Sequence, residues 1–563
     1  MRSKTVFLGA LFMLACQGDK DGSSDTRDSW SPPADAADPG RPSFPDNVEL
    51  ISVSLRTGAG ALDGTNANTI AICLAEDTCW PLDMVDVDDF RKGEIDVYEL
   101  ESSGLTRADL STVTLRSENG EDAWSPACLQ VAFDGDLVYC QDEMGFTMGN
   151  DVDELTTWTD PDGLHKSCRS CWDSPLTHGP ILGGPRADGA DIWIRTDATR
   201  SARLEVEDSS TGESWIADWT YPLASTDFTA TLRADGLSSD TDYAYTIVLE
   251  GEERVGPFAL RTAPVLGEAH NFEVAFGSCS KYAIQPVFNA IANDNVDLFF
   301  FVGDNHYGNT SDLQSLRWNY RWAHSLDYRR QLMAEVGILA TWDDHDYTGN
   351  NTDGSDTGKE TALRVFQDYW ANPSAGTPDT PGTFFAYNYG QVDFFFLDDR
   401  FYRGLNDSLL GNGQADWLIS AIQESSATFK VLISGSQWTS FGSTDSWAAF
   451  PNAKAELFEQ LRTLNTEGLV LLSGDIHRSS FRLLADDVFA YPVPELTSSP
   501  LANKTTACKD DSELQSCYNT RPSYLHLSFQ TEGDAPSLTA RIKNDGGETE
   551  AEWVISHSSL TAP

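Results

Sequence analysis

The chain has 563 residues, 40% of them hydrophobic, which is material for three or four units of ordinary domain size. Its 38 basic residues against 87 acidic ones give a formal net charge of −49, which argues against any nucleic-acid docking surface. That charge fits a solvated, salt-tolerant or calcium-rich exterior and carries no catalytic meaning.

A charged start, Met1-Arg-Ser-Lys4, precedes an apolar run from Val6 to Ala15 that is too short to cross a bilayer as a stable helix. The run stops at Cys16. Because Met13-Leu-Ala-Cys16 resembles a bacterial lipobox, residues 1–16 read as a lipoprotein signal with Cys16 as the lipidated residue, and Gln17 resembles outer-membrane sorting. Ordinary cleavage near Ala15 is the alternative. Residues 17–45, rich in Asp, Ser, Pro and Gly without an apolar period, are expected to form a disordered tether. The expected location is therefore outside the cytoplasm, as an outer-membrane or cell-surface lipoprotein on an N-terminal lipid anchor or as a secreted protein.

Residues 46–165 alternate with period two, as in Ile51, Val53, Leu55 and Ile70, Ile72, Leu74, and turn residues separate the runs, so a β-sandwich is expected. Leu62-Asp-Gly-Thr-Asn-Ala-Asn68 and Leu110-Ser-Thr-Val-Thr-Leu115 leading to Trp124 are similar to the PLAT/LH2 sandwich, which implies lipid-surface, protein or calcium contact at most. A second sandwich is expected over 175–265. There Gly236-Leu-Ser-Ser-Asp-Thr-Asp-Tyr-Ala-Tyr245 resembles the tyrosine corner of fibronectin type III domains, with Trp193 and Tyr243 as core and corner.

Residues 266–563 carry the chemistry. Four apolar runs each end in polar residues of metal-binding type: Val274-Ala-Phe in Gly277-Ser-Cys279, and Leu298 to Val302 in Gly303-Asp-Asn-His-Tyr307. Ile338-Leu-Ala-Thr ends in Trp342-Asp-Asp-His-Asp346, and Leu469 to Leu472 in Ser473-Gly-Asp-Ile-His477. Short runs of this kind read as strands buried on both faces, and open sheets collect ligands beyond the carboxyl ends of such strands. Four endings in one segment point to one site, with the four strands side by side.

In their order these elements, with Leu397-Asp-Asp-Arg400-Phe-Tyr-Arg403, resemble the signatures of PhoD-like alkaline phosphatases, a branch of the metallophosphoesterases. The resemblance implies a multidomain chain in which two N-terminal β-sandwiches precede an α/β four-layer (αββα) metallophosphoesterase domain. It also implies hydrolysis of phosphate esters, of the alkaline phosphatase or phosphodiesterase type. The cofactor implied is a dinuclear or trinuclear centre, Fe(III) with Ca(II) in the first place and Zn, Mn or Mg as alternatives. Asp304 is then the bridging carboxylate, Cys279 and Tyr307 give anionic donors suited to a strongly Lewis-acidic ion, and Asp344, Asp475 and His477 complete the ligands. His345 is expected to protonate the leaving alkoxide, and Arg400 to hold two phosphate oxygens unless it is spent on Asp398 or Asp399. Here Gly-Asp-Asn-His-Tyr-Gly replaces the Gly-Asp-Tyr-Ile-Tyr-Glu common among close relatives, and twin arginines are missing from the signal.

Setting aside Cys16 and Cys279, eight cysteines remain. They are expected as sequence-local disulfides, Cys73 with Cys79, Cys128 with Cys140, Cys168 with Cys171 and Cys508 with Cys517, with zinc on Cys168-x-x-Cys171 and His165 or His178 as the alternative. A phospholipase-like diesterase, and an adhesive lipoprotein on a non-catalytic phosphatase scaffold, are the competing functional readings. Oligomeric state leaves no signal in the sequence.

Overall fold

The structure, a computed structural model, describes residues 42–562 apart from 59–69, 76–77, 86, 88–89, 103, 118–123, 145, 149–156, 167, 169, 252, 405–407, 440–444 and 485–488. Cys16, the signal, most of the tether and the stretch Leu62 to Asn68 lie outside the described residues.

The first N-terminal region forms two four-stranded sheets, one ordered Ile95–Glu101, Leu50–Thr57, Pro126–Phe133, Asp136–Asp142 and the other Thr78–Leu82, Ile70–Ala75, Thr114–Ser117, Thr157–Thr159. The period-two residues Ile51, Val53, Leu55, Ile70 and Ile72 are fully buried in the core between them. Cys73 faces Cys79 across one strand pair and bonds to it, and Cys508 bonds to Cys517. The other pairing expected from the sequence is wrong: the bonds are Cys128–Cys171 and Cys140–Cys168. Cys128 and Cys140 lie on neighbouring strands but out of register, Cys128 opposite Asp142 and Cys140 opposite Gln130. Each thiol instead meets the returning segment, which bridges to Cys140 at Lys166. With all four sulfurs oxidised, the alternative zinc site has no thiolate to offer.

The second region packs a three-stranded sheet (Thr229–Asp235, Gly189–Thr196, Leu176–Leu182) on a four-stranded one (Ser214–Ile216, Ala202–Asp208, Asp242–Leu249, Arg254–Arg261). Tyr243 makes the corner, its hydroxyl accepting from the Ser238 N–H at 2.8 Å. Trp193 is buried, but its ring belongs to the core shared with the following region, and its Nε1–H donates to Asp368 O at 2.8 Å.

In the third region the order of layers is helix, sheet, sheet, helix. A six-stranded sheet runs Gly337–Thr341, Leu298–Val302, Phe272–Gly277, Ser523–Gln530, Ser537–Asn544, Thr549–Ser556, its first three strands parallel. A seven-stranded sheet runs Phe385–Tyr389, Val392–Phe396, Phe429–Ile433, Leu469–Ser473, Val493–Thr497, Ser479–Leu484, Leu514–Tyr518. Alternation assigns the faces: Phe272, Val274, Phe276 and Phe300 meet Phe394, Phe396 and Val431 between the sheets. Ala275, Phe299, Phe301 and Ile338 meet the outer helices Val287–Asn293, Leu313–Ser325, Asp327–Glu335 and Lys359–Tyr369. Each motif strand is thus buried on both faces, as its continuous apolar run requires. The four are not side by side, however. Three belong to the six-stranded sheet and Leu469–Ser473 to the other, because the site sits where the carboxyl ends of the two packed sheets converge.

Helix Leu313–Ser325 begins soon after the Asp304 loop, its N-terminus capped by Asp312, which accepts from the Ser315 N–H at 2.9 Å. It ties the loop to both N-terminal regions. Gln314 exchanges hydrogen bonds with the Glu99 backbone at 3.0 and 2.9 Å, Arg317 pairs with Glu99, and Arg321 pairs with Asp227 at 2.7 Å. Asp227, fully buried, also takes Arg195 and the Tyr369 hydroxyl. Burial alone would raise this carboxyl, yet Arg195 and Arg321 hold it far below the ordinary carboxylate range.

Candidate metal centre

Each motif strand stops in a turn that aims a side chain at one point. After Phe272–Gly277 the chain turns at Cys279, whose φ is 60°. After Leu298–Val302 it turns at Gly303, where φ is 82° and a Cβ would lie 2.4 Å from that of Asp343, so only glycine fits. Asp304, Asp475 and His477 follow with φ of 54°, 68° and 55°. Left-handed backbone is uncommon outside glycine and here falls on the candidate ligand positions.

Six of the expected residues come together around Asp304. Its Oδ2 accepts from the Tyr307 hydroxyl at 2.9 Å and lies 3.3 Å from Cys279 Sγ, while its Oδ1 accepts from the His345 N–H at 3.3 Å. His477 Nε2 is 3.3 Å from the Tyr307 hydroxyl. Ligand atoms of Cys279, Asp304 and His477 all lie within 4.8 Å of one another, and so do those of Asp304, Asp344 and His345. Asp304 is common to both sets. Asp475 reaches in from the other sheet, its carbonyl 3.5 Å from Cys279 Sγ and its N–H on Ser278 Oγ at 3.2 Å.

The electrostatics of this group suit cations. Burial, then repulsion from Asp344, Asp343, Asp346 and Asp475, pushes the Asp304 carboxyl well above the carboxylate range. The Cys279 thiol is pushed well up by burial, then by Asp304 and Asp475, and the Tyr307 phenol rises by burial, then through Cys279 and Asp304. Asp344 goes the other way: burial opposes ionisation, but Arg400, His345 and the Asn351 N–H outweigh it. Buried oxygens Asp343 Oδ2 and Asp344 Oδ1 have no hydrogen-bond partner. So many inward anionic donors relieve one another only through positive charge between them, and the residues therefore fit a multinuclear cation site. Cys279 is unpaired, as expected for a ligand.

Arg400 is not where a phosphate clamp needs to be. It is fully buried, with Nε on Asp343 Oδ1 at 2.5 Å, Nη1 and Nη2 on Asp445 at 3.1 and 2.6 Å, and Nη2 also on Ser436. Its fork is spent inside the protein, on Asp343 and Asp445 and not on Asp398 or Asp399. Asp398 instead receives the N–H groups of Arg400 and Phe401, and Asp399 that of Ser436.

Several residues that serve the site escaped the sequence reading. Asp346 accepts from the N–H groups of Asp343, Asp304 and Asn305 at 2.7, 3.3 and 3.1 Å, so one carboxylate fastens two ligand loops. Its signal was the Asp-x-x-Asp capping box opening helix Asp344–Tyr347. Asn503 donates to the Tyr307 hydroxyl at 2.9 Å and lies 3.4 Å from His477 Nε2, and Asn309 Oδ1 faces His345 Nδ1 at 2.5 Å. Neither stood in a recognisable motif. In the segment carrying Asn350, Asn351 and Lys359, whose polar sequence does suggest an entrance lining, the Asn351 N–H binds Asp344 Oδ2 at 2.7 Å, and Lys359 turns inward to the carbonyl of Gly354 at 2.9 Å.

Residues 274–541 match the family model of the PhoD-like phosphatases, and residues 173–265 match a domain of unknown function, DUF7800. Among curated proteins, alkaline phosphatase D of Bacillus subtilis (strain 168) is 24% identical, over 44% of this chain and 53% of that protein. The chain thus spans about half the length of that relative. Among solved structures, that of PhoD superposes with a TM-score of 0.60 at 20% identity, covering 70% of this chain and 92% of the other. A purple acid phosphatase from yellow lupin (Lupinus luteus) seeds gives 0.54 at 11%, covering 90% of each. At these identities the two superpositions establish the fold.

Proposed function

We propose that this chain, whose residues 274–541 carry a PhoD-like phosphatase domain, hydrolyses phosphate esters at a multinuclear metal centre organised by Asp304. The observation that carries this is the sharing of Asp304 between two clusters of donor atoms, one with Cys279 and His477 and one with Asp344 and His345. Cations bound there supply an activated water and neutralise charge on the phosphoryl group. The thiolate and phenolate donors of the first set suit Fe(III), with zinc as the alternative, and the oxygen-rich second set suits Ca(II), Mn(II) or Mg(II).

The side chains divide the remaining work. Cys279, Tyr307, Asp304 and His477 would hold one ion; Asp304, Asp344 and Asp475 would hold the other. Asn309 Oδ1 accepts from His345 Nδ1–H and orients the ring, so the proton given to the leaving alkoxide is the one on Nε2 of the imidazolium. Arg400 keeps Asp343 and Asp445 in place beneath the site. Export with lipidation at Cys16 would put the enzyme outside the cytoplasm; among the described residues no helix is long and apolar enough to cross a membrane.

The test is a metal-resolved assay on the purified full chain with a monoester, a diester and a phospholipid. Turnover should track metal content, vanish on chelation and return on reloading. A protein that holds no metal, or that is loaded and hydrolyses none of the three, is no phosphoesterase.

A further inference from the structure

With Arg400 spent inside the protein, any side-chain cation that joins the metal centre in meeting a phosphate has to be another residue. Lys281 stands two residues past Cys279, in a segment stitched to the opposite wall of the site. Its own N–H and that of Tyr282 both donate to Ala502 O, at 2.9 and 3.0 Å, and the Ala502 N–H returns to Cys279 O at 3.2 Å. Ala502 immediately precedes Asn503, which touches Tyr307 and His477. The exposed Lys281 side chain folds back over the metal loop, with Nζ 5.2 Å from the centroid of the Tyr307 ring. That ring lies 4.1 Å from the His345 ring.

In a chain with 87 acidic residues, its ammonium has no carboxylate within ion-pair distance among the described residues. An unpaired ammonium held over a ligand ring, beside the proposed proton donor, is available to an incoming anion.

We propose that Lys281 contacts the substrate phosphate and biases the site towards phosphomonoesters over diesters. This rests on the phosphoesterase reading and names its substrate class. A monoester carries a second negative charge above its second pKa of about 6, and the ammonium gains most from that charge. A diester keeps a single charge, so its binding depends less on the lysine.

The experiment uses the metal-loaded full chain and its Lys281→Met and Lys281→Arg variants, with metal content measured for each. Inorganic phosphate binding is read by titration calorimetry, which needs no turnover. kcat/KM is read on 4-nitrophenyl phosphate and on bis(4-nitrophenyl) phosphate. Lys281→Met should weaken phosphate binding and lower monoester kcat/KM by about tenfold or more, the usual size of a charge-assisted contact. The diester should lose markedly less, metal content should hold, and Lys281→Arg should recover most of the loss. Unchanged phosphate binding in Lys281→Met, or equal losses on both esters, overturns the proposal while leaving the phosphoesterase reading intact. A loaded wild-type protein that neither binds phosphate nor turns over either ester overturns both.

Discussion

The Tyr307 hydroxyl donates to Asp304 Oδ2 at 2.9 Å, while the other oxygen of the same carboxylate faces the His345 N–H at 3.3 Å. One side chain thereby addresses two ligand sets, which sets up the sharpest prediction. Asp304→Asn removes the shared charge without changing shape, so metal analysis should show lost metal and every phosphate ester should go unhydrolysed. A variant that keeps its full metal complement would show that Asp304 does not bridge.

His345→Ala should behave differently. Its expected effect is a loss of about 10² to 10⁴ in rate with metals retained, and a smaller loss on esters of good leaving groups such as nitrophenolate, which need little protonation. His345 also falls within one ligand set, so metal analysis is decisive. Loss of metal, or equal impairment on all esters, would make it a ligand.

Arg400→Ala should be a stability variant before it is a kinetic one. The guanidinium is fully buried against Asp343 and Asp445, and stripping it leaves the buried Asp343 carboxylate without its cation at a cost of about 3–5 kcal/mol, while Asp445 keeps Arg403 at 3.3 Å. Urea denaturation should show the drop, and Arg400→Lys should not recover it, since a single ammonium cannot reproduce the fork. A variant of normal stability with only a raised KM would restore the phosphate-clamp role.

Peptide mapping without reduction should recover Cys128 linked to Cys171 and Cys140 linked to Cys168, with Cys279 alkylated only once the protein is unfolded. Recovery of Cys128 with Cys140 would contradict the strand register.

Asp227 predicts an acid limb of stability. Its folded pKa is depressed through Arg195 and Arg321, so its contribution is present above the unfolded value of about 3.9 and drains away as pH falls through and below that value. Urea midpoints of wild type should decline from about pH 5 downward. Asp227→Asn should start lower at neutral pH and decline less steeply over the same range; parallel slopes would remove Asp227 from the account.

The candidate site was legible because its chemistry is local: a strand end and its donors lie within a few residues of one another, and continuous apolar runs announce the strands. The sandwich strands were legible for the same reason, through period-two alternation at Ile51, Val53 and Leu55. Long-range facts were not. Which sheet Leu469–Ser473 joins, which thiol Cys128 meets and whether Arg400 faces inward are set by partners tens to hundreds of residues away. Trp193 shows the same limit: its strand pattern says buried, and only the packed structure says against which region.

The left-handed turns at Cys279, Asp304, Asp475 and His477 bear on what holds the site in shape. Such conformations cost of order 1–3 kcal/mol each and persist only where the surroundings over-determine them. Here the surroundings are polypeptide: the four N–H groups are taken by Gly303 O, Asp346, Ser278 Oγ and Ser499 Oγ. The backbone geometry of the four turns is thus held by the chain's own hydrogen bonds, so removing bound ions should loosen the side chains while leaving the turns in place.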